Sequence, residues 1–320
     1  MRTVIAYSVF LTGIYAGVYY SAAINAIISK LCGLELQQFT IFNYNFIKKD
    51  GKLTAVKRGF SPLAFSIFSK EGASETKLSL TELAAIIAEI VLGVIILFWE
   101  IIYLWGKTPL FRYIAEFTSG IILYCIMALI NWVRTAVEKD SSVDGYTKYI
   151  IKQLQIGKNI NNIDVSLEKL ASLGSPDNMR GIFLSINFMK ALYNDKYEDM
   201  REPIAISEKF LSRRNVPNKA KEYAINDIFT YYIQPYTIER EGTEGAKNWY
   251  DKWIKILKTP YDAGDQRRIA AYNLYVLNDI EAAKRALEIS IEKLDEMPCS
   301  PFERELHIKE IDKLKQAIYK

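Results

Sequence analysis

The residues that could do chemistry in the apolar half of this chain are few. Ser21 and Asn25 stand four residues apart, so a hydroxyl and an amide share one helix face, with Ala22 beside them. Glu82, Glu89 and Glu100 follow in a second apolar stretch at separations of seven and eleven residues. At the helical period, that spacing puts all three carboxyls on nearly one stripe. The chain has a single histidine, His307, in a charged segment near its C-terminus, and three cysteines, Cys32, Cys125 and Cys299, with no CxxC pair. Zinc favours imidazole and thiolate over a hydroxyl or an amide, so a standard zinc-hydrolase site is excluded. No cofactor is expected.

Acids within a membrane span are costly to bury, which makes them functional candidates. Two arrangements fit these. In one, Glu82 and Glu100 reach opposite interfaces and Glu89 packs against Asn25 or tyrosines. In the other, Ser21, Asn25 and Glu89 line a polar cleft to which Asn131 also belongs. Arg112, at the edge of a third span, can pair with Glu100 or with Glu116.

The elements that must position these groups are membrane helices. A bilayer crossing takes about 20 mostly apolar residues. Stretches over about 4–31, 83–105 and 110–132 meet that length, with Gly106 to Pro109 turning between the last two. The loop between the first two spans carries Lys48, Lys49, Lys52, Lys57, Arg58, Lys70 and Lys77, against Lys107 and Arg112 at the short turn. The positive-inside rule then puts that loop and everything beyond Trp132 in the cytoplasm.

The loop carries strand signals of its own. FTIFNYNFIKK and KLTAVKRGF alternate bulky and polar residues around Asp50-Gly51, which predicts a β-hairpin over about 39–60. Its strand Phe42, Asn43, Tyr44, Asn45, Phe46 offers an edge for an extended peptide, since main-chain hydrogen bonds supply affinity without catalysis. Alternatively, Phe39, Phe42, Phe46 and Phe60 rest on lipid. Residues 61–70 are expected to be re-entrant or interfacial.

From about Tyr146 the apolar residues recur at three and four, as in MRGIFLSINFMKAL and AAKRALEISIEKL, predicting helices with short connections. The pairs Asn194-Asp195 and Asn278-Asp279 lie 84 residues apart, two periods of about forty. The unit between them is expected over Lys219 to Leu257, broken by a loop from Ile238 to Gly245. Tyr231, Tyr232, Tyr236, Trp249, Tyr250 and Trp253 are expected to seal helix packing. The final helix, FERELHIKEIDKLKQAIYK, is expected to cap the array, with Glu305 paired to Lys309 and His307 facing solvent. This half resembles a divergent tetratricopeptide-like array, and such arrays bind peptides or helices in a concave groove.

The segment SAAINAIISKLCGLELQQFTIFNYNFIKKDGKL resembles the opening of the site-2-protease-like membrane metalloproteases. In that family a helix bearing HExxH runs to a Gly and into a Phe-rich hairpin. Aligned on Gly33 and the hairpin, the motif positions fall on Ser21, Ala22, Ala23, Ile24 and Asn25. Two histidines one turn apart would hold zinc, and the glutamate would act as general base. All three are replaced. A further likeness is Asn131 followed by Asp144-Gly145, where Asp144 would be the remaining ligand position, although Arg134 stands where the family has Pro.

The resemblance implies a pseudoprotease. The expected fold is an all-α membrane half with three transmembrane helices and a cytoplasmic β-hairpin over 1–145, then a soluble helical-repeat domain over 146–320. The expected place is a bacterial cell membrane, multi-pass. The expected partners are the lipid bilayer and a peptide or membrane-protein partner, in a role accessory to peptide maturation, export or immunity. A net charge of +4 over 320 residues, with no clustered basic helix, argues against nucleic acid. The alternatives are a hydrolase rebuilt from Glu89, Asp144 and Cys32 or Cys125, and a plain anchor for a helical-repeat adaptor.

Overall fold

A computed structural model describes all residues except 1, 42–43, 50–51, 58–64, 70–74, 105–110, 156, 176, 214–215, 258–261, 295–296, 298 and 320. The chain forms two units, Met1–Ala136 and Val137–Lys320.

The first unit opens with helix α1 (Arg2–Leu31), which is 30 residues long. It ends where Gly33 takes φ 72°, a conformation that suits a residue without Cβ. The Leu34 N–H then bonds to the Ser29 carbonyl and the Gly33 N–H to that of Lys30, both at 2.9 Å, which satisfies carbonyls that the helix end would orphan.

That turn delivers the chain to β1 (Glu35–Ile41), followed by β2 (Tyr44–Lys49), β3 (Lys52–Lys57) and β4 (Phe65–Ser69). The strands form one antiparallel sheet in the order β3-β2-β1-β4. Phe39 faces Phe46 across β1 and β2, with ring centroids 6.2 Å apart, the kind of aromatic cross-strand pair that pins a register. The sheet is thus wider than a single hairpin. Part of the segment expected to be re-entrant is β4, whose backbone pairs with β1. Asp50, Gly51 and Phe60 lie outside the described residues, as do Phe42 and Asn43.

Two long helices complete this unit, α2 (Glu75–Leu104) and α3 (Phe111–Glu138). Val4–Leu31, Ser79–Tyr103 and Phe111–Glu138 are long and apolar enough to cross a bilayer. The third runs past Trp132 because no glycine or proline falls between Trp132 and Glu138.

The interior of this unit is small and polar. Ala22, Ala85, Ser29, Thr81, Glu89, Glu100 and Thr118 are buried, whereas Ile95, Phe98, Trp99 and Ile102 are exposed. Glycine sets the spacing. A Cβ on Gly13 would lie 2.1 Å from the Phe117 carbonyl oxygen, and one on Gly120 would lie 2.3 Å from that of Phe10. Helices α1 and α3 therefore touch backbone to backbone, as membrane helices do at small residues.

The second unit is helical among the described residues. It contains α4 (Val143–Gln155), α5 (Leu167–Ser172), α6 (Arg180–Tyr193), α7 (Arg201–Leu211), α8 (Asn218–Tyr232), α9 (Pro235–Glu241), α10 (Glu244–Ile254), α11 (Ala263–Tyr275), α12 (Ile280–Lys293) and α13 (Pro301–Ile318). Helix α6 packs on α7 and α8, α8 on α7 and α10, and α11 along α12. The expected loop from Ile238 to Gly245 is replaced by α9 and the start of α10. Pro235 stands at the first helical position of α9, where its missing N–H costs nothing, and Gly242 closes it at φ 77°.

The two Asn-Asp turns are alike but not identical. Asp195 takes the left-handed conformation after α6 and Asn278 takes it before α12, so the matched pairs are offset by one residue. Both residue types tolerate that conformation better than most.

Large apolar side chains fill this interior. Trp253 stacks on Phe229 at 4.5 Å and donates from Nε1 to Asn226 Oδ1 at 2.8 Å. Tyr250 stacks on Tyr272 at 4.3 Å. Tyr236 is half-buried instead and stacks on Tyr197 beneath the Arg240 guanidinium.

Helix α13 is not an end cap. It packs on α4 and α6 as well as on α11 and α12. His307 is buried on it, a correction to the solvent-side expectation, because its position next to Leu306 belongs to the face that also buries Glu310 and Ile311. Lys309 and Glu305 do not pair with each other. Lys309 reaches Asp195, and Glu305 accepts from the Tyr193 hydroxyl.

Candidate functional site

The residues aligned with the protease motif sit in the C-terminal half of α1. Ser21 Oγ donates to Glu89 Oε1 of α2 at 2.9 Å, and the neighbouring Tyr20 hydroxyl donates to the Glu89 carbonyl at 2.9 Å. Both donors sit on α1 one residue apart, so the helix approaches α2 at a single level and fixes Glu89 there. Ala22 is buried and offers no polar atom. Asn25 lies one turn further on and accepts from Ser29 at 3.1 Å instead of joining Glu89.

Helix α3 adds the fully buried Cys125, whose thiol neighbours the Glu89 carboxyl along with the Tyr124 phenol. Cys32 belongs to the turn that ends α1. Asn131, the other residue expected at a polar cleft, is exposed on α3, where its carbonyl accepts from Thr135.

A second buried acid repeats the arrangement along α2. Glu100 Oε1 accepts from Thr118 of α3 at 2.8 Å. Glu100 is buried rather than reaching an interface, and Arg112 pairs with Glu116 at 3.8 Å. Glu89 Oε2 and Glu100 Oε2 are buried without a hydrogen-bond partner among the described residues.

These donors do not suit zinc. A hydroxyl, an amide and one carboxyl replace imidazoles, and among the described residues no three His, Cys, Asp or Glu side chains converge on a point. The backbone N–H groups beside Ser21 are occupied by the carbonyls of their own helix, so they supply no main-chain oxyanion donors.

Asp144 belongs to the second unit, in the first turn of α4. Its Oδ1 accepts from the Met179 N–H at 2.8 Å and its Oδ2 from Asn178 at 3.0 Å, so the carboxylate caps the start of α6. The adjacent Gly145 is required by packing. A Cβ there would lie 2.4 Å from the Glu138 carbonyl oxygen.

The strand expected to receive a peptide lies inside the sheet. Tyr44, Asn45 and Phe46 pair with Ile41, Thr40 and Phe39 on one side and with Lys57, Val56 and Ala55 on the other. A strand bonded on both sides offers no edge, and this corrects the expectation. Among the described strands the edges are β3 and β4. On β3, Lys52, Leu53, Thr54 and Ala55 are all exposed.

The second unit holds a polar cluster of its own. Arg267 of α11 meets Glu310 of α13 at 3.4 Å with both side chains buried, and Arg268 donates to Thr230 of α8 at 2.9 Å. Burial pushes the Asp227 carboxyl up to about 7, against the opposing pull of Ser185 and Arg268. Burial also holds His307 well below the usual histidine range, reinforced by Arg267 and Arg268. Asp227 Oδ2, Arg267 Nε and His307 Nδ1 have no partner among the described residues.

No protein-family model, curated protein or solved structure matches the chain. The glycine packing of α1 was missed in the sequence although Gly13 and Gly17 carry its signal, two small residues four apart in an apolar helix. Thr118 and Tyr20 carried no comparable signal. Their roles depend on which turn of a neighbouring helix they face.

Proposed function

We propose that the chain is a multi-pass membrane pseudoprotease of the site-2-protease-like kind. It binds a peptide, or an extended segment of a membrane-protein partner, without hydrolysing it. The sheet and the helical unit, read as a divergent tetratricopeptide-like array, lie on the cytoplasmic side of a bacterial cell membrane and serve peptide maturation, export or immunity.

The observation that carries this reading is β3, a sheet edge with four consecutive exposed residues from Lys52 to Ala55. Unpaired main-chain groups at such an edge accept an added strand. The relic position supports the non-hydrolytic half of the proposal, because Ser21 is engaged by Glu89 where a metal ligand would stand.

The test is photocrosslinking of the full-length protein in native membranes, with the crosslinker at Leu53 or, for comparison, at the exposed Ile308 of α13. Adducts from Leu53 are expected. Adducts from Ile308 alone would reduce the membrane half to an anchor and overturn the proposal.

A further inference from the structure

Helix α13 lies in the second unit as a ligand lies in a groove. Its residues 302, 306, 307, 310, 311, 314 and 318 are buried and 305, 308, 312, 316 and 317 are exposed, one amphipathic stripe over five turns. The unit has three separate apolar clusters, and α13 alone places buried side chains in all of them. Phe302 enters the first, packed with α4 and α6. Leu306 enters the second, with α6 and α8. Ile311, Leu314 and Ile318 enter the third, with α8, α11 and α12.

The rest of its interface is electrostatic. The surface beneath α13 offers a cation, Arg267, to Glu310 at the middle of the helix. At the edge it offers an anion, Asp195, to Lys309 at 2.7 Å and Lys313 at 2.5 Å. Glu310 also pairs with Lys313 along the helix at 2.6 Å. Buried ion pairs are weak sources of stability compared with apolar packing and are better at fixing which partner fits and in what register. Arg267 Nε beneath α13 and His307 Nδ1 on the buried face of α13 itself have no partner among the described residues, which fits a contact that is made and broken rather than sealed.

The helix also carries its own start signal. Ser300 Oγ accepts from the Glu303 N–H at 3.2 Å, the Glu303 carboxylate accepts from the Ser300 N–H at 2.8 Å, and Pro301 stands at the first helical position. This capping box lets α13 form locally, independently of the groove. In the chain α13 follows α12, which ends at Lys293.

We infer that the surface under α13 is a helix-binding site, that α13 is its resident occupant, and that its exchangeable ligand is an amphipathic helix of the same pattern borne by a partner protein. Such a ligand has an aromatic residue in its first turn, leucine or isoleucine along one stripe, a glutamate for Arg267 and a lysine for Asp195. Recognition of this kind reads anchors one turn apart on a single face. The inference stands on the second unit alone and does not depend on what the membrane unit binds.

The test uses full-length protein in detergent, wild type and Asp195→Asn. Asparagine tolerates the left-handed backbone of this position but cannot ion-pair with Lys309 and Lys313. Amide hydrogen exchange over 301–318 is expected to run at least about tenfold faster than over 180–193, 218–232 and 263–275. In Asp195→Asn it should accelerate further for α13 alone. A fluorescent peptide of wild-type residues 300–318 should bind a Lys309→Gln/Lys313→Gln protein, whose resident helix alone has lost the Asp195 contact, saturably and at least about threefold more tightly than wild type. Equal protection of α13 and the other helices, or no saturable peptide binding to either protein, would overturn the inference. Exchange of α13 between copies to give dimers would assign the groove to a second copy of the chain and overturn it too.

Discussion

The two units bury opposite things. In the first unit, whose three long helices are apolar enough to cross a bilayer, glycine, alanine, serine, threonine and two glutamates face inward and isoleucine, phenylalanine and tryptophan face outward. In the helical unit, Trp253, Phe183, Phe188 and Phe229 are fully inside. Lipid is as apolar as leucine, so burying leucine gains little in a bilayer, and helices there associate through close backbone contact and interhelical hydrogen bonds. Water makes the opposite choice favourable, at about 25 cal/mol per Å² of apolar surface removed. The difference also sets how each unit treats a buried charge. Glu89 meets a hydroxyl and a thiol and Glu100 a hydroxyl, whereas Glu310 meets a guanidinium.

The comparison is tested most severely at Glu310. Removing one member of a buried ion pair strands the other, so Glu310→Leu should cost about 3–5 kcal/mol in denaturant unfolding of the helical unit. The double variant with Arg267→Met should recover most of that loss. If the double variant is as unstable as the single one, the pair is not what holds this part of the interior.

A smaller effect is expected at the glycine contacts. Gly120→Ala should cost about 1–3 kcal/mol in detergent, since the added methyl meets backbone that cannot turn aside. Gly242→Ala in the helical unit meets open space, and its cost of about 1 kcal/mol arises only from the positive φ. A harmless Gly120→Ala, read as an unchanged melting temperature, would mean that α1 and α3 do not touch as described.

The pH dependence of the helical unit follows from two buried groups with opposite slopes. His307 is held neutral in the fold, so the unfolded chain takes up a proton below about pH 6.5 and stability falls on the acid side. Asp227, raised to about 7 in the fold, binds more protons there than in the unfolded chain between about pH 4 and 7. Its contribution is therefore lost as pH rises through that window. Asp227→Asn should stabilise the unit at pH 8 by about 3–4 kcal/mol, at about 1.4 kcal/mol for each pH unit between the folded and unfolded values, and change little at pH 4. His307→Gln should flatten the acid limb. An Asp227→Asn stability profile parallel to wild type from pH 4 to 8 would contradict the burial of that carboxyl.

The smallest effect belongs to the Ser21-Glu89 contact of the first unit. Ser21→Ala removes one interhelical hydrogen bond, and such bonds average about 0.6 kcal/mol in membranes. A loss of several kcal/mol would show that the Glu89 region carries more of the unit's stability than one hydroxyl can.

These contrasts show why parts of the architecture were legible in the sequence and others were not. Apolar length gives three helices able to cross a bilayer, and three-four periodicity gives the helices of the second unit, since both are local properties of the chain. Strand pairing is not local. Nothing within residues 42 to 46 says that β1 and β3 flank β2, so the edge was expected on the wrong strand. The position of His307 was misjudged for a different reason. The charged residues around it suggested a solvated helix, yet Leu306, Glu310 and Ile311 define a stripe that includes it. Glu89 was expected beside Ser21 and Asn25, and which of the two it meets depends on the rotation of α1 against α2, which no local pattern in the sequence fixes.

The measurement that bears most directly on the non-hydrolytic reading is the zinc content of purified full-length protein, after incubation with excess zinc and removal of the unbound metal. The account predicts far less than about one zinc per chain, unchanged in Glu89→Gln and Asp144→Ala. About one tightly held zinc per chain, lost in either variant, would contradict it.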